Sequence, residues 1–200
     1  MKRIAVAGFA AGAAMMIGGA LGAVSNIDPK LVLDRGDGVM NPMIAGQAMM
    51  PDRDIMENMS ASPMHTTFVN DLKETGVAAA LKTNGQFTVF APTNAAFAAA
   101  EPQTKAALAR RMSYLIVPGR YDSQALLRQI NEAGGEAKLR TAEGGTLVAR
   151  LNGPTNIVLM DERGNTADIA IYDVHDKNGV VHVVDRVLEP GGPARQVAAK

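Results

Sequence analysis

Apolar positions change their spacing once along this chain, near residue 138. Before that point the spacing is mostly helical. Phe68, Val69 and Leu72, then Ala79, Ala80 and Leu81, recur at helical intervals, and Gly76 divides them into two short helices. Residues 104–116 predict a helix with Ala107, Leu108 and Met112 on one face, stopped by Pro118-Gly119. Ser123 is placed to cap a helix carrying Leu126, Leu127 and Ile130, ended by Gly134-Gly135. One strand interrupts this half: Phe87-Thr88-Val89-Phe90 alternates large apolar and β-branched residues after an Asn84-Gly85 turn.

Past residue 138 the chain reads as strands: 138–141, 146–151, 156–160, 167–174 and 180–188. Glycine-bearing turns separate them, including 161–165 and Asn178-Gly179. Helices first and strands later predict an α+β domain, with a core that includes Phe90, Phe97 and the aliphatic positions of 180–188. The folded unit is expected over residues 51–190. About 140 residues bury roughly two-thirds of their unfolded surface, enough to be stable without covalent staples.

Upstream, two segments lack this patterning. Met1-Lys2-Arg3 is a basic start, and residues 4–24 carry no charge but are rich in Ala and Gly. Such a run contributes little transfer free energy per residue, which suits a secretory signal over residues 1–25. Ala20/Gly22 and Ala23/Ser25 both fit the small-residue rule, for cuts after Gly22 or Ser25. A run of about 20 uncharged residues is also just long enough to stay as an anchor. Cleavage leaves no stable membrane span and a periplasmic or secreted protein. Residues 26–50 form a Met-rich lead-in interrupted by Pro29, Gly36, Gly38, Pro42 and Gly46, expected as an extended arm; one short helix is expected near 54–59. Residues 191–200 read as a flexible tail.

Composition narrows the function. Lys+Arg and Asp+Glu both count 20. Losing Lys2 and Arg3 leaves 18 basic against 20 acidic residues, a net of −2. The basic excess of a nucleic-acid binder is missing. With no cysteine, there is no disulfide, zinc-thiolate site or cysteine nucleophile. The 12 methionines stand out. Thioethers are soft ligands, so Met40, Met43, Met49 and Met50 offer a candidate Cu(I) site, set against the simpler role of filling irregular gaps. Apart from that alternative, no metal and no cofactor is expected. Arg35-Gly36-Asp37 is the tripeptide that integrins read, a short motif of low specificity.

Enzyme signatures are absent: no G-x-S-x-G, H-E-x-x-H, G-x-x-x-x-G-K or G-x-G-x-x-G occurs. Of three histidines, His182 alternates with Val181 and Val183 and reads as a hydrogen-bonded structural residue. His175, with Asp173 and Asp176, reads as part of a solvated turn, with a weak metal site as the alternative. No nucleophile, base and orienting group occur together, so the chain is not expected to be an enzyme.

Two boxes carry a family resemblance. The first runs from Phe87 to Phe97 (FTVFAPTNAAF) and the second from Asn178 to Pro190 (NGVVHVVDRVLEP). Between them, Tyr114-Leu115-Ile116-Val117-Pro118-Gly119-Arg120 is similar to a Tyr-His-Val-Val-Pro-Gly segment. With this order and spacing, residues 51–190 resemble the fasciclin domain family, and the arm is similar to the lead-in of short secreted bacterial members. Physically, the boxes are fold determinants. Phe90 leads into Pro92, Thr93 or Asn94 is placed to cap a helix burying Phe97, and Asn178-Gly179 starts the apolar strand holding His182.

The resemblance implies a wedge-shaped β-sandwich of about seven strands with a layer of short helices. It also implies non-enzymatic adhesion, with partners among envelope or matrix proteins or polysaccharides. In animal members, integrin recognition is assigned to the Tyr-His pair and to an Asp-Ile pair before the second box. Tyr114 matches the Tyr, Leu115 stands where the His would be, and Asp173-Val174 matches the Asp-Ile. Two loops are therefore candidate partner surfaces: residues 114–121, with Tyr114, Arg120 and Tyr121, and residues 173–178, with Asp173 and Val174.

Overall fold

A computed structural model describes residues 41–83, 85–100 and 103–192. Both cleavage options, the Arg-Gly-Asp tripeptide, Met40 and residues 193–200 lie outside the described residues. Nine strands and five α-helices follow in chain order: β1 Met43–Ile44, β2 Gln47–Ala48, α1 Ile55–Ala61, α2 Thr66–Glu74, β3 Phe87–Pro92, α3 Asn94–Ala98, α4 Lys105–Tyr114, β4 Ile116–Pro118, α5 Ser123–Glu132, β5 Glu136–Arg140, β6 Thr146–Leu151, β7 Ile157–Met160, β8 Thr166–Asp176 and β9 Gly179–Val184. A 3-10 helix, Val77–Lys82, follows Gly76, whose φ of 78° breaks the helical run as its position predicted.

Seven strands form one mixed sheet in the order β4-β3-β9-β8-β7-β6-β5. The β3–β9 pair is parallel and the other pairs are antiparallel. In β8 the pairing to β9 shifts register between Ile169 and Ile171 and again between Ile171 and Val174. Bulges of this kind bend a strand, and here the sheet folds over until its ends meet: the Ala142 N–H donates to the Ile116 carbonyl at 2.7 Å. This is the expected α+β sandwich, made from a single continuous sheet. Phe68, Leu72, Phe90, Met112, Leu126, Leu147 and Val181 lie in its core.

The parallel pair joins the two boxes residue to residue, with Phe87 opposite Gly179, Phe90 opposite His182 and Pro92 opposite Val184. Such close pairing fixes Gly179. A Cβ there would lie 2.0 Å from the Phe87 carbonyl oxygen, so no other residue fits.

Several expectations need correction. The helix expected to reach residue 116 ends at Tyr114, because Ile116 and Val117 are β-branched and Pro118 disfavours helix in the residue before it. Asp122, not Ser123, caps α5: its carboxylate accepts from the Ala125 N–H, and Ser123 is the first helical residue. The last strand stops at Val184, where Asp185 and Arg186 turn out to solvent. Phe97 is only half-buried. In the short α3, Ala96 faces the core, and Phe97 sits at the margin, 6.4 Å from the Phe68 ring. Residues 43–48 form a small hairpin rather than an extended arm, with Ile44 buried. Gly191 and Gly192 are not loose, since the Arg110 guanidinium holds both of their carbonyls.

Candidate interaction surface

The two candidate loops come together on one face. Arg120 Nη2 lies 2.8 Å from His175 Nδ1, and Nη1 donates to the Asp176 carbonyl at 3.5 Å. A guanidinium is always a donor, so His175 Nδ1 accepts. Burial lowers the His175 pKa, opposed by the Asp173 charge and helped by that of Arg120, in keeping with a neutral ring that accepts here.

Three strands hold the Arg120 loop from beneath. Thr88, fully buried on β3, donates from Oγ1 to the Gly119 carbonyl and accepts the Tyr121 N–H, both at 2.8 Å. Gly119 has a φ of 105°, and a Cβ there would meet the Tyr121 ring at 2.9 Å. From β9, His182 Nε2 lies 2.8 Å from the Tyr121 carbonyl, and its Nδ1 accepts the Asp173 N–H at 3.3 Å. These partners fix the tautomer with the proton on Nε2. Burial lowers the His182 pKa, in keeping with a neutral ring stacked on Phe90 at 5.7 Å. From β8, Asp173 accepts the Ser123 N–H at 2.7 Å and its hydroxyl at 2.5 Å, so it anchors the start of α5. Asp173 does this from a φ of 57°, strained for a residue with a side chain.

Ser123, His182 and Asp173 make a familiar hydrolytic trio by type. The serine bonds the aspartate rather than the histidine, however, and all three are buried. In this arrangement the imidazole does not receive the serine proton.

The residues expected to touch a partner divide into two sets. Arg120 is exposed and Tyr121 half-buried, beside exposed Lys177. Tyr114, Asp173 and Val174 are buried, which corrects their assignment as contacts. Tyr114 is a hub instead: its hydroxyl donates to the Thr146 carbonyl at 2.7 Å and accepts the Glu162 N–H at 3.2 Å. Burial pushes the Tyr114 pKa upward.

Stretch 173–176 is also not the solvated turn its polarity predicted. Asp176 is 2% exposed, and Asn58 donates to its Oδ1 at 2.5 Å. Its Oδ2 has no hydrogen-bond partner among the described residues, and burial pushes its pKa up to about 7. Asn41 closes this region with a reciprocal pair, Nδ2 to the His175 carbonyl at 2.6 Å and His175 N–H to Oδ1 at 2.7 Å. Thr88, Asn58 and Asn41 are the functional supports that sequence reasoning missed. Thr88 left one trace, a lone hydroxyl inside a strand otherwise apolar. The two asparagines act across 118 and 134 residues and left none.

The remaining box residues build structure. Thr93 caps α3 by accepting the Ala96 N–H. Asn94 accepts from the Thr67 N–H at 3.0 Å and donates to the Pro63 carbonyl at 2.9 Å, joining α3 to the start of α2. Asn178 accepts the Ile55 N–H at 2.9 Å and donates to the Leu81 carbonyl at 2.6 Å, joining the β8–β9 turn to two helices. The described methionines of the lead-in do not share one environment: Met43 and Met50 are exposed, whereas Met49 is in the core, with Met56 and Met59 of α1. Among the described residues, no cluster of His, Asp or Glu is placed to hold a metal.

The fasciclin domain family model matches residues 63–190. This chain belongs to the fasciclin domain family. That family is associated with cell adhesion, is typically extracellular, and is generally non-enzymatic. Two relatives come from Synechocystis sp. Protein sll1483 is 30% identical over 146 residues, covering 68% of this chain and 73% of its own. Uncharacterized protein sll1735 is 26% identical over 144 residues, covering 68% of this chain and 98% of its own. The fold is shared with a solved fasciclin (FAS1) domain pair from the insect cell adhesion molecule Fasciclin I. That match has a TM-score of 0.58 and 17% identity, over 69% of this chain and 51% of that one. This fasciclin chain thus spans about half the length of the insect pair. No helix among its described residues is long and apolar enough to cross a membrane.

Proposed function

We propose that this protein is a non-enzymatic, secreted or periplasmic interaction domain. It binds cell-envelope or extracellular-matrix components, protein or polysaccharide, through the face where Arg120, Tyr121, His175 and Lys177 meet. The observation that carries this reading is the Arg120–His175 contact, which joins the two loops into one surface. The backbone beneath is fixed by Thr88, Asp173 and His182. Recognition loops on a rigid scaffold lose little entropy on binding, and Tyr and Arg are common interface anchors. The basic start and the Ala/Gly-rich run support export, with mature protein beginning near Ala23 or Asn26, a domain over 51–190 and a short tail.

Crosslinking in intact cells followed by pull-down identifies the partner. Surface plasmon resonance against that partner then tests the face. Tyr121→Ala and Arg120→Ala are expected to weaken binding more than Lys177→Ala. Equal affinity for all three and the wild type would place the contact elsewhere.

A further inference from the structure

We propose that Asn152 is a site of self-modification, where the chain converts its own asparagine to aspartate and isoaspartate through a succinimide. Asparagine followed by glycine favours this chemistry, because a residue with no Cβ leaves its backbone nitrogen free to approach the preceding side chain. Three such pairs occur: Asn84-Gly85, Asn152-Gly153 and Asn178-Gly179. Asn84 lies outside the described residues, and the fold treats the other two oppositely. Asn152 is exposed between β6 and β7, as are Gly153, Pro154 and Thr155. The Asn152 N–H donates to the Asn156 carbonyl at 2.8 Å. Neither the Asn152 side chain nor the Gly153 N–H makes a hydrogen bond among the described residues. A Cβ at Gly153 would meet nothing within 4 Å, so this turn has room to bring the Gly153 nitrogen onto the side-chain carbonyl carbon.

Asn178 has the same neighbour and none of this freedom. Its Oδ1 accepts the Ile55 N–H at 2.9 Å and its Nδ2 donates to the Leu81 carbonyl at 2.6 Å, so both ends of the amide are held. Gly179 is buried in β9, packed so closely on the Phe87 backbone that the dipeptide cannot turn. The step at Asn152 needs only water. The Gly153 nitrogen loses its proton and bonds to Cγ, the bond from Cγ to Nδ2 breaks, and ammonia leaves. Water then opens either carbonyl of the five-membered ring. One opening gives aspartate, and the other gives isoaspartate, with an extra methylene in the main chain. Both products add a negative charge to a groove lined also by Arg150 and Asp168.

This site uses none of the residues of the Arg120 face and stands or falls separately from it. The test is incubation of the purified folded protein in mildly alkaline buffer made with oxygen-18 water. Peptide mapping by mass spectrometry then follows each asparagine, and methyl transfer by an isoaspartyl methyltransferase counts the isoaspartate. A parallel sample is unfolded in guanidinium. In the folded protein, conversion at Asn152 is expected at least tenfold faster than at Asn178, with heavy oxygen in the product. In guanidinium both positions should convert at similar rates, because the contacts that hold Asn178 are gone. Asn152→Gln should remove the isoaspartate signal of the 146–160 region and leave the thermal melt unchanged, since the side chain is exposed. Two outcomes would overturn the proposal: an unchanged Asn152 in the folded protein over the time in which the unfolded chain converts, or equal rates at Asn152 and Asn178 in the folded protein.

Discussion

The two family boxes lie side by side in the sheet yet are stabilised differently. The second box is buried along its whole strand: all six residues of β9 are inside. The first box is buried through β3 but ends in a five-residue helix at the domain margin, where Phe97 keeps one side in water. Side-chain hydrogen bonds anchor both boxes, from Asn178 and His182 in the second and from Thr93 and Asn94 in the first, but only the second keeps every residue of its strand out of water. A shared family signature therefore does not mean a shared physical role.

Substitutions can break this contrast, and the largest effect is expected at Gly179. A methyl group there meets the Phe87 carbonyl, part of the backbone, so Gly179→Ala must part the parallel strands. Loss of the cooperative denaturant transition is expected; a shift below about 1 kcal/mol would show that the strands separate without penalty. Phe90→Ala comes next, at about 3–5 kcal/mol for a fully buried ring. Phe97→Ala should cost roughly half of that or less, because only part of its surface leaves water. Equal costs in urea melts would remove the distinction between the boxes.

Stability against pH sharpens the comparison at two buried groups. Asp176 has its pKa raised from 3.8 to about 7 by burial, so its contribution is fully present below about 3.8 and is lost as pH rises towards 7. Burial lowers the His65 pKa from 6.5 to about 4. Its contribution runs the other way, present above 6.5 and lost as pH falls towards 4. The two oppose each other across one window. Asp176→Asn should make stability rise more steeply with pH between 4 and 7, and His65→Phe should make it fall. Parallel profiles for both variants and the wild type, from denaturant melts at each pH, would contradict these assignments.

The sheet and helices were largely legible in the sequence, because alternation and Gly or Pro punctuation are local signals. Ser123 was misplaced by one residue because Asp122 and Ser123 both suit a cap. The choice was made by Asp173, fifty residues away, which takes the serine hydroxyl. Residues 173–176 looked like a solvated turn for the same kind of reason. Their polarity is local, while the partners that bury them, Ser123, Asn58 and Asn41, come from distant parts of the chain. Tyr114 was recognised as a notable residue from the family pattern, but only the structure shows that its hydroxyl is used internally.

The smallest effects on stability are expected at the exposed face, and there the account is tested most directly. Its central claim is that Arg120 and Tyr121 recognise a partner while the buried residues beneath them hold the loop in place. The measurement is cosedimentation of the purified mature protein with an isolated envelope fraction, for the wild type and an Arg120→Ala/Tyr121→Ala double variant, with a denaturant melt of each. The account predicts melts within about 0.5 kcal/mol of each other, as for surface substitutions, and at least a tenfold loss of bound protein in the double variant. Undiminished binding by a double variant that melts like the wild type would contradict it.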